Sequence, residues 1–531
     1  MDTYQEMQLA AIEAAKAGDL TQSLVLFDQV LEVQPDLYQA WCNRGNVLDD
    51  LGRANEALAS YDRALHLYPD YETAHLNRSV VQQKMANEAF NQGVVLDHNK
   101  ELEAALVCYE RALSLYPTHS AANLNAALIL EELGRLDEAA TRFIAAERID
   151  PGYVDGLNRA GDILGSGLGR HREALDCYQR SLALKPNQSP IRWNTSHSFL
   201  ALGHYAEGWQ AYDFRSPNSE DNLGWIDFLQ PQWRGEPIAG KRVLLWCEQG
   251  FGDVFQFCRY ARLVRDLGAT VFLLVHPMVE RLFQTVFAQE GITIVLGSAL
   301  AKPFDFQCPL LSLPLACQTD SLEKIPSQHP YLFAAAADTQ HWHQRLLAID
   351  GARKKRVGLV WAGGYRPQHP LAHGMDLVRS LHLRELAPLQ AMQAANRVQF
   401  FSLQLDAPAK QLAQMQSEGW SGPEIVDLTK DLQDWADTAA LIANLDLVIA
   451  CDTAVAHLAA AMGKPTWILS RYNGCWRWLE DRDDSPWYPT VRLFRQTTAG
   501  DWAEVVNRVV IELNGLANEV HNSAAKLKTI E

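Results

Sequence analysis

The sequence predicts a helical repeat solenoid followed by a larger α/β part that contains two doubly wound domains. Prolines recur at nearly constant intervals through the first 210 or so residues, and alternating strands and helices begin near Gly240 and restart near Arg356. Since domains have roughly 100–200 residues, a chain of 531 residues is too long for one hydrophobic core. The predicted bounds are 1–217 for the solenoid, 218–239 for a linker, 240–350 and 351–515 for the two α/β domains, and 516–531 for a tail.

The spacing of the prolines identifies the repeat unit. Intervals of 34, 48, 34 and 35 residues separate Pro35, Pro69, Pro117, Pro151 and Pro186. A 34-residue period is typical of the tetratricopeptide repeat (TPR), which is a helix–turn–helix unit. A Leu-Gly turn ends the first helix of a unit, because glycine adopts the left-handed C-cap at little cost, and a proline ends the second. The pattern predicts five full repeats and a sixth, partial one.

The 48-residue interval holds about 14 residues more than a normal unit, near Met85 to Lys100, as a lengthened helix pair or a loop. Such units cannot bury their apolar faces alone, so they stack into a superhelix with a concave groove. The groove predicts binding of a protein or peptide partner. The alternative is that the array is a spacer or a dimerisation arm.

Composition and charge narrow the class of protein. The formal net charge is −17, and an acidic surface repels the backbone of nucleic acids. The nine cysteines include no Cys-x-x-Cys pair, which favours reduced thiols over a disulfide framework or a zinc ribbon. No signal peptide is visible, and no run of about 18 apolar residues is free of charge. We therefore expect a cytoplasmic protein with no nucleic-acid partner and no transmembrane segment.

The first α/β domain carries a glycine-containing loop directly after its first strand. Gly250 and Gly252 match the first two glycines of a dinucleotide-binding G-x-G-x-x-G motif, but Phe255 replaces the third. Asp253 also places a negative charge where a pyrophosphate would lie at the helix N-terminus, so a dinucleotide site is disfavoured. A carboxylate here is suited to accept a proton from a sugar hydroxyl, with a helix N-cap as the alternative. Together with Gln256, the two glycines form the predicted acceptor-side loop.

In the second α/β domain, Asp452 and Thr453 lie at a strand-to-helix turn. Thr453 and the first helical N–H groups are suited to hold a phosphate. His457 is four residues beyond Thr453 and therefore lies on the same helix face. A lone histidine is usually structural, so a ligand-binding role and a structural role both stay open.

The segment from Arg471 to Tyr488 is dense in aromatic and charged residues, which suits stacking on a sugar or base but also a rigid surface loop. Within it, Asp481-Arg482-Asp483 has the D-x-D spacing by which many glycosyltransferases hold a divalent ion. The motif does not directly follow a strand, and we assign no metal to it.

Taken together, these residues resemble the GT-B glycosyltransferases, and in particular the bacterial ADP-heptose:lipopolysaccharide heptosyltransferase family (glycosyltransferase family 9). The resemblance covers about Gly240 to Asn514. It rests on the order and spacing of five motifs: Gly252-Asp253-Val254, Ser312-Leu313-Pro314, Val360-Trp361-Ala362-Gly363, Arg379-Ser380-Leu381 and Asp452-Thr453-Ala454-Val455-Ala456-His457-Leu458. The fusion of a repeat array to such a fold also resembles the layout of protein O-linked N-acetylglucosamine transferases.

The resemblance implies two Rossmann-like domains that face each other across a cleft, and it implies a role for each motif. Asp253 would be the base that deprotonates the acceptor hydroxyl. The donor and its nucleotide would be lined by Trp361, Gly363, Gly364, Arg379, Ser380, Asp452, Thr453 and His457. In this family side chains and helix N-termini, rather than a metal, meet the charge of the leaving group. The loop from Tyr365 to Val378 departs from expectation because it contains no lysine, and Arg366 and Arg379 are the candidate replacements.

The leading functional hypothesis is therefore a metal-independent glycosyltransferase without a cofactor. It would move a sugar from a nucleotide-diphosphate sugar to a hydroxyl of a glycan or protein, and its repeats would recruit the acceptor or a partner. The alternative is a TPR scaffold whose GT-B module is inactive or senses nucleotides. A nucleotide-dependent epimerase has no distinguishing motif in this sequence.

Overall fold

A computed structural model describes residues 3–215, 225–297, 303–351, 354–364, 366–368, 370–394 and 397–528. The chain forms two compact units, Met1–Ile163 and Leu164–Glu531. Residues 218–224 of the predicted linker and Tyr365 of the lysine-free loop lie outside the described residues. The finer domain bounds given above stay predictions.

The N-terminal unit is built from antiparallel helix pairs. Its helices are α1 (Thr3–Lys16), α2 (Leu20–Val33), α3 (Tyr38–Asp50), α4 (Ala54–Leu67), α5 (Glu72–His98), α6 (Leu102–Leu115), α7 (Ser120–Glu132), α8 (Leu136–Ile149) and α9 (Val154–Asp162). Gly52 and Gly134 follow α3 and α7 in the left-handed conformation, with φ of +75° and +74°, as the repeat pattern predicts. The predicted array of TPR helix pairs is thereby confirmed.

The 14 extra residues form a lengthened helix rather than a loop. Helix α5 has 27 residues, against 14 in each of α4 and α6. Its N-terminal half, through Ala74 and Val81, belongs to the apolar core of the first four helices. Its C-terminal half packs on α6, where the Phe90 and Tyr109 rings lie 5.7 Å apart. One helix therefore serves two successive stacks.

The two helices of a repeat cross closely at a glycine. A Cβ atom on Gly45 would lie 2.5 Å from Cε1 of Tyr61, and one on Gly93 would lie 2.6 Å from Cε1 of Tyr109. Tyr61 is fully buried and its hydroxyl donates to Oδ1 of Asn46 at 2.8 Å, so the ring has little room to retreat. Only glycine fits these crossings.

We expect Gly45→Ala to lower the free energy of unfolding of the N-terminal unit by about 1–3 kcal/mol, because overpacking outweighs the better helix propensity of alanine. Chemical denaturation followed by circular dichroism measures this change. Gly515→Ala, in a helix of the C-terminal unit, is the control for helix propensity alone, since its added Cβ meets no atom within 4 Å. Equal stability of the two variants would contradict the proposed crowding.

The C-terminal unit begins with the last repeat helices, α10 (His171–Leu184), α11 (Ser189–Ala201) and α12 (Tyr205–Tyr212). A π-helical turn, Ile163–Gly167, precedes them at the boundary of the two units. Trp209 of α12 is 2% exposed and belongs to the same apolar core as the α/β part. The end of the repeat array is therefore packed as part of the C-terminal unit.

The first α/β half contains a four-stranded parallel sheet in the order β3–β2–β1–β4. Its strands are β1 (Arg242–Trp246), β2 (Thr270–Leu274), β3 (Thr293–Val295) and β4 (Phe306–Pro309). Its helices are α13 (Phe251–Phe257), α14 (Tyr260–Asp266), α15 (Pro277–Phe287), α16 (Leu313–Ala316) and α17 (Ala336–Asp350). The helical segment after β1 is thus divided into two helices, α13 and α14.

The second half contains a six-stranded parallel sheet in the order β10–β9–β8–β5–β6–β7. Its strands are β5 (Lys355–Val360), β6 (Val398–Ser402), β7 (Ile425–Asp427), β8 (Leu447–Cys451), β9 (Thr466–Ser470) and β10 (Val491–Arg495). Its helices are α18 (Pro370–Arg379), α19 (Gln390–Ala394), α20 (Asp406–Ser417), α21 (Trp435–Ala443), α22 (Ala454–Ala461) and α23 (Trp502–Lys528). The repeat array followed by parallel α/β sheets confirms the predicted fold class.

The strand orders indicate where a ligand would bind. In the first sheet the chain runs from β1 outward to β3 and then returns to place β4 on the other side of β1. In the second sheet it runs from β5 to β7 and then returns to place β8 beside β5. Ligands of open α/β sheets bind outside the carboxyl ends of the strands at such switch points. The segments after β1, β5 and β8 are therefore the places to examine.

Candidate functional site

The loop after β1 lies against the second α/β half. Gly250 is the N-cap of α13, so Asp253 occupies the first turn of this helix and does not cap it. A Cβ atom on Gly252 would lie 2.9 Å from Cδ2 of His457 and 3.6 Å from Cα of Ala454. Glycine is therefore required at position 252 for α13 to approach α22.

An ion pair joins Asp253 to Arg477. The guanidinium Nη2 donates to Oδ1 of Asp253, and its Nε donates to Oε1 of Gln256 at 2.8 Å. The two charged side chains are 19% and 12% exposed. Although burial opposes the charge of Arg477, the carboxylate of Asp253 raises the pKa of this guanidinium. Arg477 thus stays charged and holds two residues of the predicted acceptor-side loop.

Asp452 and His457 belong to a packed polar cluster at the end of β8. The indole Nε1 of Trp478 donates to Oδ2 of Asp452 at 3.0 Å, and Nε2 of His457 lies 3.6 Å from Oδ1 of the same carboxylate. The His457 ring stacks on Trp478 at 5.3 Å, and its Nδ1 lies 2.9 Å from the hydroxyl of Tyr488. Burial opposes ionisation of Asp452, but His457 and Arg379 lower its pKa well below the ordinary range. His457 is thus oriented by three partners.

The loop after β5 is held by two side chains that present hydrogen-bonding groups to its backbone. Ser380 Oγ accepts from the N–H of Gly363 at 2.9 Å. Gln404 Oε1 accepts from the N–H groups of Trp361 and Ala362 at 3.0 and 2.8 Å. A Cβ atom on Gly363 would lie 2.7 Å from Nε of Arg379, so a larger residue there would displace this guanidinium. The sequence analysis did not find Gln404, although it follows β6 at the same sheet edge.

Three arginines surround the same edge. Arg366 and Arg379 both donate to the carboxylate of Asp376. Arg471 follows β9 directly, and its Nη1 donates to the thioether sulfur of Met375, a weak acceptor. Within the part of the chain that the structure describes, no carboxylate forms an ion pair with Arg471.

Two buried polar atoms at this edge have no partner among the described residues, Nε of Arg379 and Oγ1 of Thr453. Burial lowers the pKa of Arg471, which lies close enough to Asp452 and Arg379 for their charges to act on it. Buried polar groups are ordinarily hydrogen-bonded, so the unpartnered Nε of Arg379 and Oγ1 of Thr453 each call for an explanation. Donors without acceptors at a sheet edge are suited to an anion.

The remaining predicted residues are placed as follows. Gly364 has open space at its Cα, with no atom within 4 Å of an added Cβ. The indole groups of Trp476, Trp478 and Trp487 are buried, so they pack in the core rather than forming a surface on which a base could stack.

Arg482 of the D-x-D motif pairs with Asp484. Across the described ranges, no three His, Cys, Asp or Glu side chains are grouped to hold a metal ion.

Comparison with known families supports both parts of this description. Models of the tetratricopeptide repeat match residues 38–71, 90–154 and 154–188, and the model of glycosyltransferase family 9 (heptosyltransferase) matches residues 389–470. The chain therefore combines TPR units with a glycosyltransferase family 9 region, as the sequence analysis inferred.

Among curated proteins, Protein FlbA from Caulobacter vibrioides is 28% identical over 382 residues. The matched region is 66% of this chain and 60% of FlbA, so the chain spans about three fifths of that relative's length.

Solved structures with sequence similarity to this chain cover about a third of it. A crystal structure of MamA is 18% identical and covers 36% of this chain and 95% of its own, with a TM-score of 0.19. YrrB, described as a TPR protein with an unusual peptide-binding site, is 23% identical and covers 35% of this chain and 88% of its own, also with a TM-score of 0.19.

Proposed function

We propose that this chain is a glycosyltransferase that moves a sugar from a nucleotide-diphosphate sugar to a hydroxyl group of a glycan or protein. One observation carries the proposal. A carboxylate at the switch point of the first sheet, on Asp253, lies in the same unit as a cationic edge with unpartnered donors at the switch point of the second sheet. Such an arrangement supplies a base for the acceptor and an anion site for the leaving diphosphate.

The donor diphosphate would bind between the loop after β5 and the turn after β8. Among the residues that the structure describes, Nε of Arg379 and Oγ1 of Thr453 are buried without a partner, and Nη1 of Arg471 has only a thioether acceptor. Phosphate oxygens are strong acceptors for guanidinium groups and for the N–H groups at the start of a helix such as α22. Arginines would thus fill the role for which the loop lacks a lysine.

The acceptor hydroxyl would approach Asp253 at the start of α13. The carboxylate is 19% exposed, so a hydroxyl can reach it, and its second oxygen is not engaged by Arg477. The reaction forms a bond between the acceptor oxygen and the anomeric carbon, breaks the bond to the diphosphate and transfers the hydroxyl proton to Asp253. We propose that side chains rather than a metal meet the charge of the diphosphate, and that no further cofactor takes part.

The repeat array would recruit the acceptor or a protein partner through its groove. We also propose that the protein works in the cytoplasm, a view supported by nine cysteines that are all free thiols. Among the described helices, none combines the length and apolar composition needed to cross a bilayer.

We expect one class of nucleotide-diphosphate sugar to raise the thermal stability of the protein, by about 2.7 kcal/mol at a concentration 100 times its Kd. Arg471→Gln should weaken this binding about 10-fold to 100-fold, because a hydrogen bond to a charged group contributes about 1.5–3 kcal/mol. A thermal-shift panel of nucleotide sugars, followed by calorimetry, measures both effects. Arg482→Gln is the control, since this arginine pairs with the exposed Asp484.

The second candidate function is a protein-binding scaffold with an inactive or nucleotide-sensing GT-B module. The pairing of Asp253 with Arg477 favours it, because one oxygen of the proposed base is already engaged by a guanidinium. If no nucleotide sugar in the panel binds, the scaffold is supported. If a nucleotide binds but no sugar is transferred to any acceptor, the sensing module is supported.

A further inference from the structure

We infer that Asp376 is an autoinhibitory group, whose carboxylate occupies the anion site of the second α/β half and must be displaced before a diphosphate can bind. This inference rests on the proposed function, and it adds a means of regulation to the donor site. It concerns helix α18 (Pro370–Arg379) and the cationic edge, which consists of Arg366, Arg379 and Arg471.

The carboxylate of Asp376 engages the donors that a phosphate would use. Nε and Nη2 of Arg366 donate to its Oδ2 and Oδ1, each at 2.9 Å, and Nη2 of Arg379 also donates to Oδ1. A carboxylate and a phosphate form the same paired hydrogen bonds with a guanidinium. Asp376 therefore presents to these two arginines the acceptors that a phosphate group would present.

The carboxylate also lies at the loop after β5, to which the diphosphate is proposed to bind. A Cβ atom on Gly363 of this loop would lie 2.8 Å from Oδ1 of Asp376 and 2.7 Å from Nε of Arg379. This Nε is buried and has no partner among the described residues. The carboxylate thus fills part of the anion site and leaves a donor there that a larger anion would engage.

Helix α18 contacts the third arginine of the cationic edge as well. Nη1 of Arg471 donates to the sulfur of Met375, which is a weak acceptor that a phosphate oxygen would readily replace. Among the side chains of α18 that the structure describes, 373–379, Asp376 alone is buried, whereas Leu377 and Val378 are 64% and 54% exposed. The described part of α18 therefore presents a charged group, and not an apolar face, to the cationic edge.

A carboxylate between two arginines either orients them for a ligand or competes with the ligand for them. Here three guanidinium N–H groups, two on Arg366 and one on Arg379, are directed at Asp376. A diphosphate gains these donors only when the carboxylate leaves. Displacement also raises the net positive charge of the site by one. The geometry therefore favours competition, and the two roles predict opposite effects of removing the carboxylate.

Calorimetry of the full chain with inorganic pyrophosphate tests the inference, at neutral pH and low ionic strength, where charge effects are least screened. We expect Asp376→Asn to bind pyrophosphate about 10-fold to 100-fold more tightly than the wild-type chain, the equivalent of one hydrogen bond to a charged group. Asp376→Ser also removes the charge and should tighten binding too. Asp376→Glu keeps the charge and should bind no more tightly than the wild-type chain.

Two further variants complete the design. Asp484→Asn is the matched control, because it makes the same change in net charge at a carboxylate that is 63% exposed and pairs with Arg482. It should leave the affinity for pyrophosphate unchanged. Arg471→Gln, added to D376N, should weaken binding about 10-fold or more, which would place the bound anion at the cationic edge.

The outcomes separate this inference from the proposed function. Equal or weaker binding by D376N, in a variant with a wild-type circular dichroism spectrum, shows that Asp376 does not compete; it overturns the inference and leaves the anion site in place. Equal tightening in D376E or D484N, or tightening that R471Q does not reverse, also overturns the inference. If neither the wild-type chain nor any variant binds pyrophosphate, both the inference and the proposed donor site are wrong.

Discussion

Replacement of Asp253 by asparagine is expected to reduce sugar transfer by about 10²–10⁴-fold, the usual contribution of a positioned general base. The amide has almost the shape of the carboxylate and its oxygen still accepts from Nη2 of Arg477, so the contact between α13 and the Trp476–Trp478 turn is retained. Donor binding should persist, because the donor groups proposed above lie after β5, β8 and β9. Steady-state kinetics together with donor calorimetry measure the two properties separately.

Two further variants make this prediction sharp. D253N leaves the cation of Arg477 buried without its counter-charge, so the double variant D253N/R477Q tests whether any loss comes from a strained fold rather than from a missing base. Asp484→Asn is the matched control, because this carboxylate is 63% exposed and pairs only with Arg482 among the described residues. Turnover of D253N at the wild-type rate would remove Asp253 from the mechanism.

Replacement of Arg215 by methionine is expected to destabilise the C-terminal unit by about 3–5 kcal/mol, the cost of removing one partner of a buried ion pair. Arg215 follows the last repeat helix, and its side chain is 1% exposed. Its Nη2 donates to Oε1 of Glu248 at 3.0 Å and to Oγ of Ser312 at 2.8 Å. Glu248 also accepts from the N–H groups of Leu310 and Leu311. Without Arg215, a fully buried carboxylate is left without its cation.

Thermal denaturation of the full chain measures the effect as a lower midpoint for the C-terminal transition, by about 4–6 °C. The double variant R215M/E248Q should recover most of this loss, since replacing both members of a buried pair is often close to neutral. Arg234→Gln is the control, because this arginine is 58% exposed and its pair with Asp213 is worth about 1 kcal/mol or less. An R215M midpoint equal to that of R234Q would contradict the prediction.

The sequence predicted those features that local patterns determine. The 34-residue proline period located the repeats, and the apolar run before Gly250 placed Asp253 at the carboxyl end of β1, where the structure has it. The alternative role considered for Asp253, that of a helix N-cap, does not hold, because Gly250 is the N-cap of α13.

Residues whose roles depend on tertiary contacts were not predictable in the same way. Gln404 acts through two N–H groups that are more than 40 residues away in the chain. Arg477 meets Asp253 across a separation of 224 residues. The sequence analysis saw Arg471 and Arg477 only as members of a polar and aromatic segment, and nothing in their neighbours distinguishes the residue that contacts Asp253 from the residue at the end of β9.

The lengthened helix α5 affects how the repeat array folds. Repeat arrays gain stability from each unit and from the interfaces between nearest neighbours, so a regular array behaves as a cooperative chain of equal links. Helix α5 extends about 20 Å beyond a normal repeat helix, and its two halves belong to different stacks. At α5 the two stacks are therefore joined by the backbone hydrogen bonds of one continuous helix, rather than by an interface between two packed helices. We therefore expect cooperativity to be weakest at this point, with the helices before and after it folding as two blocks within one array.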